Sequence, residues 1–265
     1  MELENMTYEK EGNIAILTLN RPDKLNALTT AMWQGLLQAI QTIQGDDDVR
    51  ALILTGMGRA FSAGSDVSDR LEKRISGVKM EETRKDLLEP VGYLAFVMQS
   101  LDKPAIAAIN GTAVGAGLSL ALLCDIRIAS ETARFGAAWV KMGLIADVGA
   151  TYTLPRVVGT DKALEMMATG EMIDAEEAAR IGLVTEVVPS DDLMKKVRDL
   201  ASKIASNPPV AVELMKRAVY KGLRNDLLTQ LDFETYAQNV CRHTEDHKEA
   251  VKAFLEKRKP SFIGK

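Results

Sequence analysis

At 265 residues, with 46% hydrophobic and 26% charged side chains, the chain can form one large domain, or one domain with a helical appendage, around a sizeable core. A net charge of −4 offers no basic surface to nucleic acid or an anionic membrane, and the longest apolar stretch, "LSLALLCDI", stops at Asp125, short of a membrane span. Cys124, in an apolar run, and Cys241 are expected as reduced thiols, and "MELENMTYEK" lacks the basic-then-apolar layout of a signal peptide, so a soluble, cytoplasmic protein is expected.

In chain order, "NIAILTL" (13–19) reads as a strand and "NRPDKLNAL" as the turn after it. Thr29 or Thr30 caps a helix through "AMWQGLLQAIQTIQ", which Gly45 and three aspartates end. "RALILTG" is a buried strand feeding the loop "GMGRAFSAGSD". Residues 68–89 are highly charged and weakly amphipathic, and read as a surface helix or a mobile lid. "KPAIAAIN" is the next buried strand, followed by "GTAVGAG", an apolar helix from Leu118 and a strand in "DIRIAS". The alternation predicts an α/β fold with largely parallel pairing. From about residue 160 the chain reads as helical apart from "GLVTEVVP", and Pro208–Pro209 mark entry to a terminal helical segment. No repeat is visible in the letters.

Several motifs lose to plainer readings. "TGMGRAF" follows a strand but has Phe61 where a dinucleotide fingerprint needs its third glycine. His243 and His247 have helical metal-ligand spacing, yet Arg242, Glu245, Asp246 and Lys248 around them describe a solvated face, so no metal is expected. No G-x-S-x-G elbow suggests covalent catalysis. The informative pair is "FSAGSD" (61–66) and "NGTAVGAG" (110–117), each setting small residues directly after a strand. Such residues let backbone N–H groups approach a ligand, and the second precedes a helix whose first amides lack partners. Converging N–H groups would make an oxyanion hole; two ordinary turns are the alternative. Asp147 is the single charge in "GLIADVGATY", among Leu144, Ile145, Ala146 and Val148. A compact fold would partly desolvate it, which is costly unless it is paired. It is either an N-cap for the helix through "VGATYTL" or a working acid–base.

"NRPDKLNAL", "FSAGSD", "PAIAAINGTAVGAGLSLALLCDIRIAS", "FGAAWVKMGLIADVGATYTLPRVVG" and "AFLEKRKPSFIGK" together resemble the crotonase (enoyl-CoA hydratase/isomerase) superfamily along nearly the whole chain. The resemblance implies an α/β spiral of ββα units over residues 1–200 and a C-terminal helical trimerisation region over 201–265, in a homotrimer or hexamer. It implies an acyl-CoA thioester substrate, with coenzyme A as part of that substrate and no separate cofactor. The oxyanion donors fall by motif position on the N–H groups of Ser65 and Ala116. Ser119 and Trp139 stand where hydratases keep two glutamates, and neither is a general acid or base near neutral pH. Asp147 matches the acid–base aspartate of other members.

The dienoyl-CoA isomerases pair that aspartate with a glutamate eight residues upstream, where Trp139 stands here. The pattern is nearer to the ring-epoxide/oxepin isomerases of phenylacetyl-CoA breakdown, which have a lone aspartate. A chlorobenzoyl-CoA dehalogenase would need a histidine about where Phe96 lies. Contacts to substrate are implied for Ala63, Asp66, Ser119 and Trp139, and to the CoA moiety for Lys24, Leu25, Phe262 and Lys265, the last two acting across a subunit boundary. The resulting expectation is a double-bond shift by an Asp147 proton shuttle. Hydration of a 2-enoyl-CoA and non-catalytic acyl-CoA binding are the alternatives.

Overall fold

The computed structural model describes residues 3–68 and 91–265. The charged stretch expected as a surface helix or lid lies, from residue 69 on, outside the described residues. Strand β1 (Met6–Glu11) turns at Gly12, which has a left-handed φ of +57°, into the antiparallel β2 (Ile14–Leu19). Every residue of β2 is buried, because the strand is covered on both faces and its apolar run need not alternate. Helix α1 (Thr30–Gly45) starts where its cap predicts: the Thr29 hydroxyl accepts from the Met32 amide at 3.2 Å.

From there the chain winds as a spiral. A long strand enters one sheet, a short strand enters a second, and the next turn lies parallel beside the last. The long strands are β3 (Ala51–Gly56), β5 (Ala105–Ile109) and β7 (Ile126–Ser130); the short ones are β4 (Ala60–Ser62), β6 (Thr112–Val114) and β8 (Arg134–Gly136). With β9 (Met172–Asp174) and β10 (Glu186–Val188), they form a six-stranded sheet β1-β2-β3-β5-β7-β10 and a four-stranded sheet β4-β6-β8-β9. Pairing is parallel from β2 to β10 in the first sheet and from β4 to β8 in the second. Helix α2 (Val91–Ser100) leads into β5, α3 (Ala116–Leu122) follows β6, and α4 (Ala150–Val158) lies beyond β8.

One side of the large sheet carries Leu17, Leu52 and Leu54 in one core cluster with Leu36 and Ile40 of α1 and Phe61 of β4. After α5 (Thr160–Thr169) and α6 (Ala175–Arg180), helix α7 (Leu193–Ala205) covers the other side. Its Leu193, Val197, Ala201 and Ala205 recur every four residues and pack on Ile16, Ile53, Ile106 and Ile128. Past Pro208 come α8 (Pro209–Gly222, with Pro at its first position), α9 (Leu227–Arg242) and α10 (Glu245–Glu256). Among the described helices, none is long and apolar enough to cross a membrane.

Two anchors hold the helical segment. Asp125, at the head of β7, accepts from Lys216 Nζ and Tyr220 Oη of α8, each at 2.7 Å. The C-terminal tail folds back: buried Asp246 accepts from the amides of Ile263 (2.7 Å) and Gly264 (2.9 Å), and Arg50 donates to the Phe262 carbonyl at 3.0 Å. Arg258 and the Ser261 amide both donate to Glu249, holding its carboxyl down at about 2 against an ordinary 4.5, Arg258 being the larger cause. A lowered folded-state value means the contribution is complete above pH 4.5 and is lost as pH falls toward about 2. We therefore expect tail docking to weaken across that window, read as faster carboxypeptidase release of the last residues from acid-equilibrated protein. Release already fast at pH 6 would contradict it.

Helix α3 starts at Ala116, two residues before the expected start, because Gly115 supplies the break. Short strands of three residues were hidden in what reads as loop. The dinucleotide-like "TGMGRAF" opens no helix: it is a turn with Gly58 at φ +77° running into β4. His243 is the C-cap of α9 and Thr244 caps α10, which holds His247, so the two share no helical face. Among the described residues no three His, Cys, Asp or Glu side chains cluster as metal ligands. Cys124 and Cys241 are both free thiols.

Candidate active site

The first wall grows from "NRPDKLNAL". Leu25 and Asn26 both take left-handed φ, 50° and 55°, so the chain reverses there. Buried Asn26 clamps the reversal: its side chain donates to the Met57 and Ala60 carbonyls at 3.0 and 2.7 Å and accepts from the Arg21 amide at 2.8 Å. The strip 63–66 then pairs with 25–28. Ala63 N–H donates to Leu25 O, Leu28 N–H to Gly64 O and Asp66 N–H to Leu28 O, at 2.9, 2.7 and 2.9 Å. In this parallel bridge Leu28 faces Ser65, so the Ser65 amide is turned away from the strip. Asp66 pairs with Arg21 and accepts from the Ser68 amide at 3.0 Å, which rigidifies the loop just past Ser65. Ser65 Oγ is buried and, among the described residues, has no partner.

The second wall is the β6–α3 junction. Gly115 adopts φ +53°, ψ −124°, a conformation reserved for glycine, and donates to Gly136 O at 2.9 Å. Ala116 is the first helical residue, so its N–H has no intrahelical acceptor. The two walls touch: a Cβ on Gly64 would stand 2.8 Å from Val114 O and 3.5 Å from the Ala116 amide nitrogen. Ser65 and Ala116 thus sit on backbone segments in contact, as the oxyanion reading requires.

The third wall follows β8. A 3-10 turn (Ala138–Met142) ends at left-handed Gly143, and its buried Trp139 donates from Nε1 to Asp147 Oδ1 at 2.9 Å. Ser119 Oγ, on α3, donates to the Asp147 carbonyl at 3.0 Å, as does the Ala150 amide at 3.0 Å. Asp147 is pinned through side chain and backbone separately. The next residue, Val148, has φ +52°, rare for a β-branched residue and costing about 1–3 kcal/mol. Trp139 Nε1 lies 3.9 Å from where a Gly115 Cβ would be, so the indole joins the carboxylate to the α3 N-terminus.

Two expectations change here. Asp147 is not a side-chain N-cap: Gly149 occupies that position and no side chain caps α4. Nor is its apolar run buried throughout: Leu144 and Ile145 are 46% and 81% exposed, while Val148 joins the core. The indole, rather than a greasy pocket, defines its surroundings. Ser119, Trp139, Asp147, Ala116 and Ser65 are brought together, with Ala63 and Asp66 on the Ser65 strip and Lys24 and Leu25 on the chain reversal that pairs with it. Phe262 and Lys265 are not: their own chain ties them to Arg50 and the start of α10, at the opposite end of β3 from Ser65. Sequence reasoning missed Asn26 and Gly64, whose roles depend on backbone reversal and interloop contact with no local signature.

The arrangement can hold an oxygen developing negative charge on two amides and present one carboxylate beside it. Indole N–H donates but cannot exchange a proton usefully, and the Ser119 hydroxyl is committed to a carbonyl.

Residues 9–265 match the family described as Enoyl-CoA hydratase/isomerase. The chain is 43% identical over 261 residues to the short-chain-enoyl-CoA hydratase of Clostridium acetobutylicum, covering 98% of this chain and 97% of that one. It is 38% identical over 268 residues to the 1,2-epoxyphenylacetyl-CoA isomerase of Escherichia coli, covering 99% and 100%. An enoyl-CoA hydratase from Bacillus anthracis, solved as a crystal structure, superimposes with a TM-score of 0.92 at 37% identity, over 99% of this chain and 100% of that one. Spiral, glycine-rich walls and likeness agree along the whole length: the chain belongs to the enoyl-CoA hydratase/isomerase family, the crotonase superfamily, and is an enzyme of it.

Proposed function

We propose that this enzyme shifts a double bond in an acyl-CoA thioester by a single-carboxylate proton shuttle. Asp147 removes a proton from C4 or C2 of the enoyl chain. The electron pair moves onto the thioester oxygen, giving a dienolate held by the Ser65 and Ala116 amides. Asp147 then returns the same proton at the other carbon, so nothing is gained or lost. Preorganised amides of this kind contribute about 3–4 kcal/mol where charge develops. The observation that carries the reading is the Trp139–Asp147 hydrogen bond; the motif resemblance adds that Ser119 and Trp139 stand where hydratases keep glutamates. Syn addition of water needs one group to activate the nucleophile and another to protonate the α-carbon; a proton shuttle needs one.

Hydration is the second reading, favoured by the name of the 43% identical relative. The two separate by absorbance of the conjugated thioester: the isomerase converts a 3-enoyl-CoA into the conjugated form and leaves crotonyl-CoA largely untouched. Fast loss of crotonyl-CoA absorbance would establish hydration instead. The indole hydrogen bond to a charged acceptor is worth about 1.5–3 kcal/mol, so Trp139→Phe should lower kcat/KM roughly 10- to 100-fold by misplacing the base. An unchanged value would reduce Trp139 to a packing residue.

The proposal extends to assembly. Leu227, Phe254 and Leu255 on the C-terminal helices are 75%, 82% and 75% exposed, more apolar surface than an isolated chain ordinarily leaves in water. A homotrimer or a hexamer would cover them and would let Phe262 and Lys265 reach a neighbour's CoA, with Lys24 and Leu25 contacting it from the same chain. Sedimentation equilibrium tests this directly, and a stable monomer would end it.

A further inference from the structure

Ser65 keeps a group that its own fold leaves idle. Its Oγ is shielded from water and, among the described residues, has no hydrogen-bond partner. Two other serines around the site are fully occupied. Ser62 accepts from the Gly64 amide at 3.2 Å and donates to the Asn26 carbonyl at 2.9 Å, and Ser119 donates to the Asp147 carbonyl at 3.0 Å. A hydroxyl withdrawn from water without a partner weakens a fold, and alanine would fill the same place without that penalty. Packing therefore gives no reason for serine at this position.

Its place beside the oxyanion hole does. On the acyl-CoA reading above, the Ser65 amide is one of the two donors to the thioester oxygen. Two of the three staggered rotamers set a serine hydroxyl beside its own amide nitrogen, so an oxygen that accepts from the amide is in reach of the hydroxyl proton as well. The backbone on either side is fixed. Leu28 N–H donates to Gly64 O at 2.7 Å, Asp66 N–H donates to Leu28 O at 2.9 Å, and Asp66 pairs with Arg21, which leaves rotation about χ1 as the free motion.

Charge decides when the hydroxyl is needed. A neutral thioester oxygen has two lone pairs, which the Ser65 and Ala116 amides match one for one. An enolate oxygen has a third lone pair and a negative charge, and hydrogen bonds to it are stronger. A donor engaged only at that stage lowers the barrier without tightening ground-state binding. We infer that the Ser65 side chain is a third oxyanion donor: Oγ–H turns to the thioester oxygen as the enolate forms and turns away as the carbonyl is restored, its proton staying on Oγ throughout. The inference rests on an acyl-CoA thioester seated at these amides and is independent of the choice between isomerisation and hydration.

Acetoacetyl-CoA tests it without turnover. This ligand ionises to an enolate that absorbs in the near ultraviolet, so a pH titration of the bound form reports how strongly the site favours the charge. Ser65→Ala keeps the amide and removes only the hydroxyl. In the variant the ionisation constant of bound acetoacetyl-CoA should fall about tenfold or more. Affinity for hexanoyl-CoA, whose oxygen stays neutral, should change by less than about twofold by calorimetry. The ligand-free variant should melt no lower than the wild type, since an idle buried hydroxyl has been removed. An unchanged ionisation constant, a parallel loss of hexanoyl-CoA affinity or a lower melting temperature overturns this role for Ser65 and leaves the acyl-CoA reading standing. If folded wild type binds neither thioester, the acyl-CoA reading falls and this inference with it.

Discussion

Asp147→Asn should reduce turnover of a 3-enoyl-CoA by at least about 10²- to 10⁴-fold, the span a positioned acid–base contributes, while acyl-CoA affinity changes by less than about twofold. The substitution keeps shape and polarity. The amide oxygen can still accept the Trp139 indole proton, and Ser119 and the Ala150 amide hold the residue through its carbonyl, which the change does not touch. What disappears is the only thing the shuttle needs, a site that takes and returns a proton. Stopped-flow absorbance gives the rate and calorimetry with a saturated acyl-CoA gives the affinity. Near-normal turnover would assign the chemistry to another acid; parallel loss of binding would make Asp147 a scaffold residue.

Gly64→Ala should be nearly as damaging, and for a different reason. Gly64 combines φ +97° with a Cβ direction that meets Val114 O at 2.8 Å and points within 3.5 Å of the Ala116 amide nitrogen. To fit a methyl group, the 63–66 strip must move from α3, separating the Ser65 and Ala116 amides. Loss of one oxyanion donor costs about 10²–10³ in kcat, and displacement of both belongs at the upper end. Backbone strain alone is controlled by Gly12→Ala: Gly12 also has positive φ, +57°, but a Cβ there meets nothing within 4 Å. Both variants should lose stability, since an L-residue in this region costs about 1–2 kcal/mol. Only Gly64→Ala should lose rate once the folded fraction is matched. A rate within a few-fold of wild type would mean these amides do not hold the thioester oxygen.

Legibility followed the range of the physical signal. A cap at Thr29 or Thr30 was readable because capping is settled within three residues, and β2, β3 and β5 because buried parallel strands appear as largely apolar runs. β6, β8 and β9 were not, since three residues carry no period and owe their strand geometry to neighbours. The resemblance gathered Ser65, Ala116, Ser119, Trp139 and Asp147 into one site; spacing alone left Asp147 open between a cap and an acid–base. The indole–carboxylate contact bridges eight residues through a 3-10 turn and a left-handed glycine, a path no local rule predicts. Exposure of Leu144 and Ile145 was likewise unreadable, because apolar character does not say whether the chain itself supplies the cover.

The spiral has one further consequence. Ser65 follows the strand pair β3–β4, Ala116 and Ser119 follow β5–β6, and Trp139 and Asp147 follow β7–β8, and each pair is hydrogen-bonded into sheets that ignore what its loop carries. On the proposed reading, the capacity to tame an enolate is inherited from the first two turns, while the choice of what to do with it is edited mainly on the third. Such a framework lets descendants change trade without rebuilding the workshop, in keeping with relatives that align along nearly the whole chain and carry both hydratase and isomerase names.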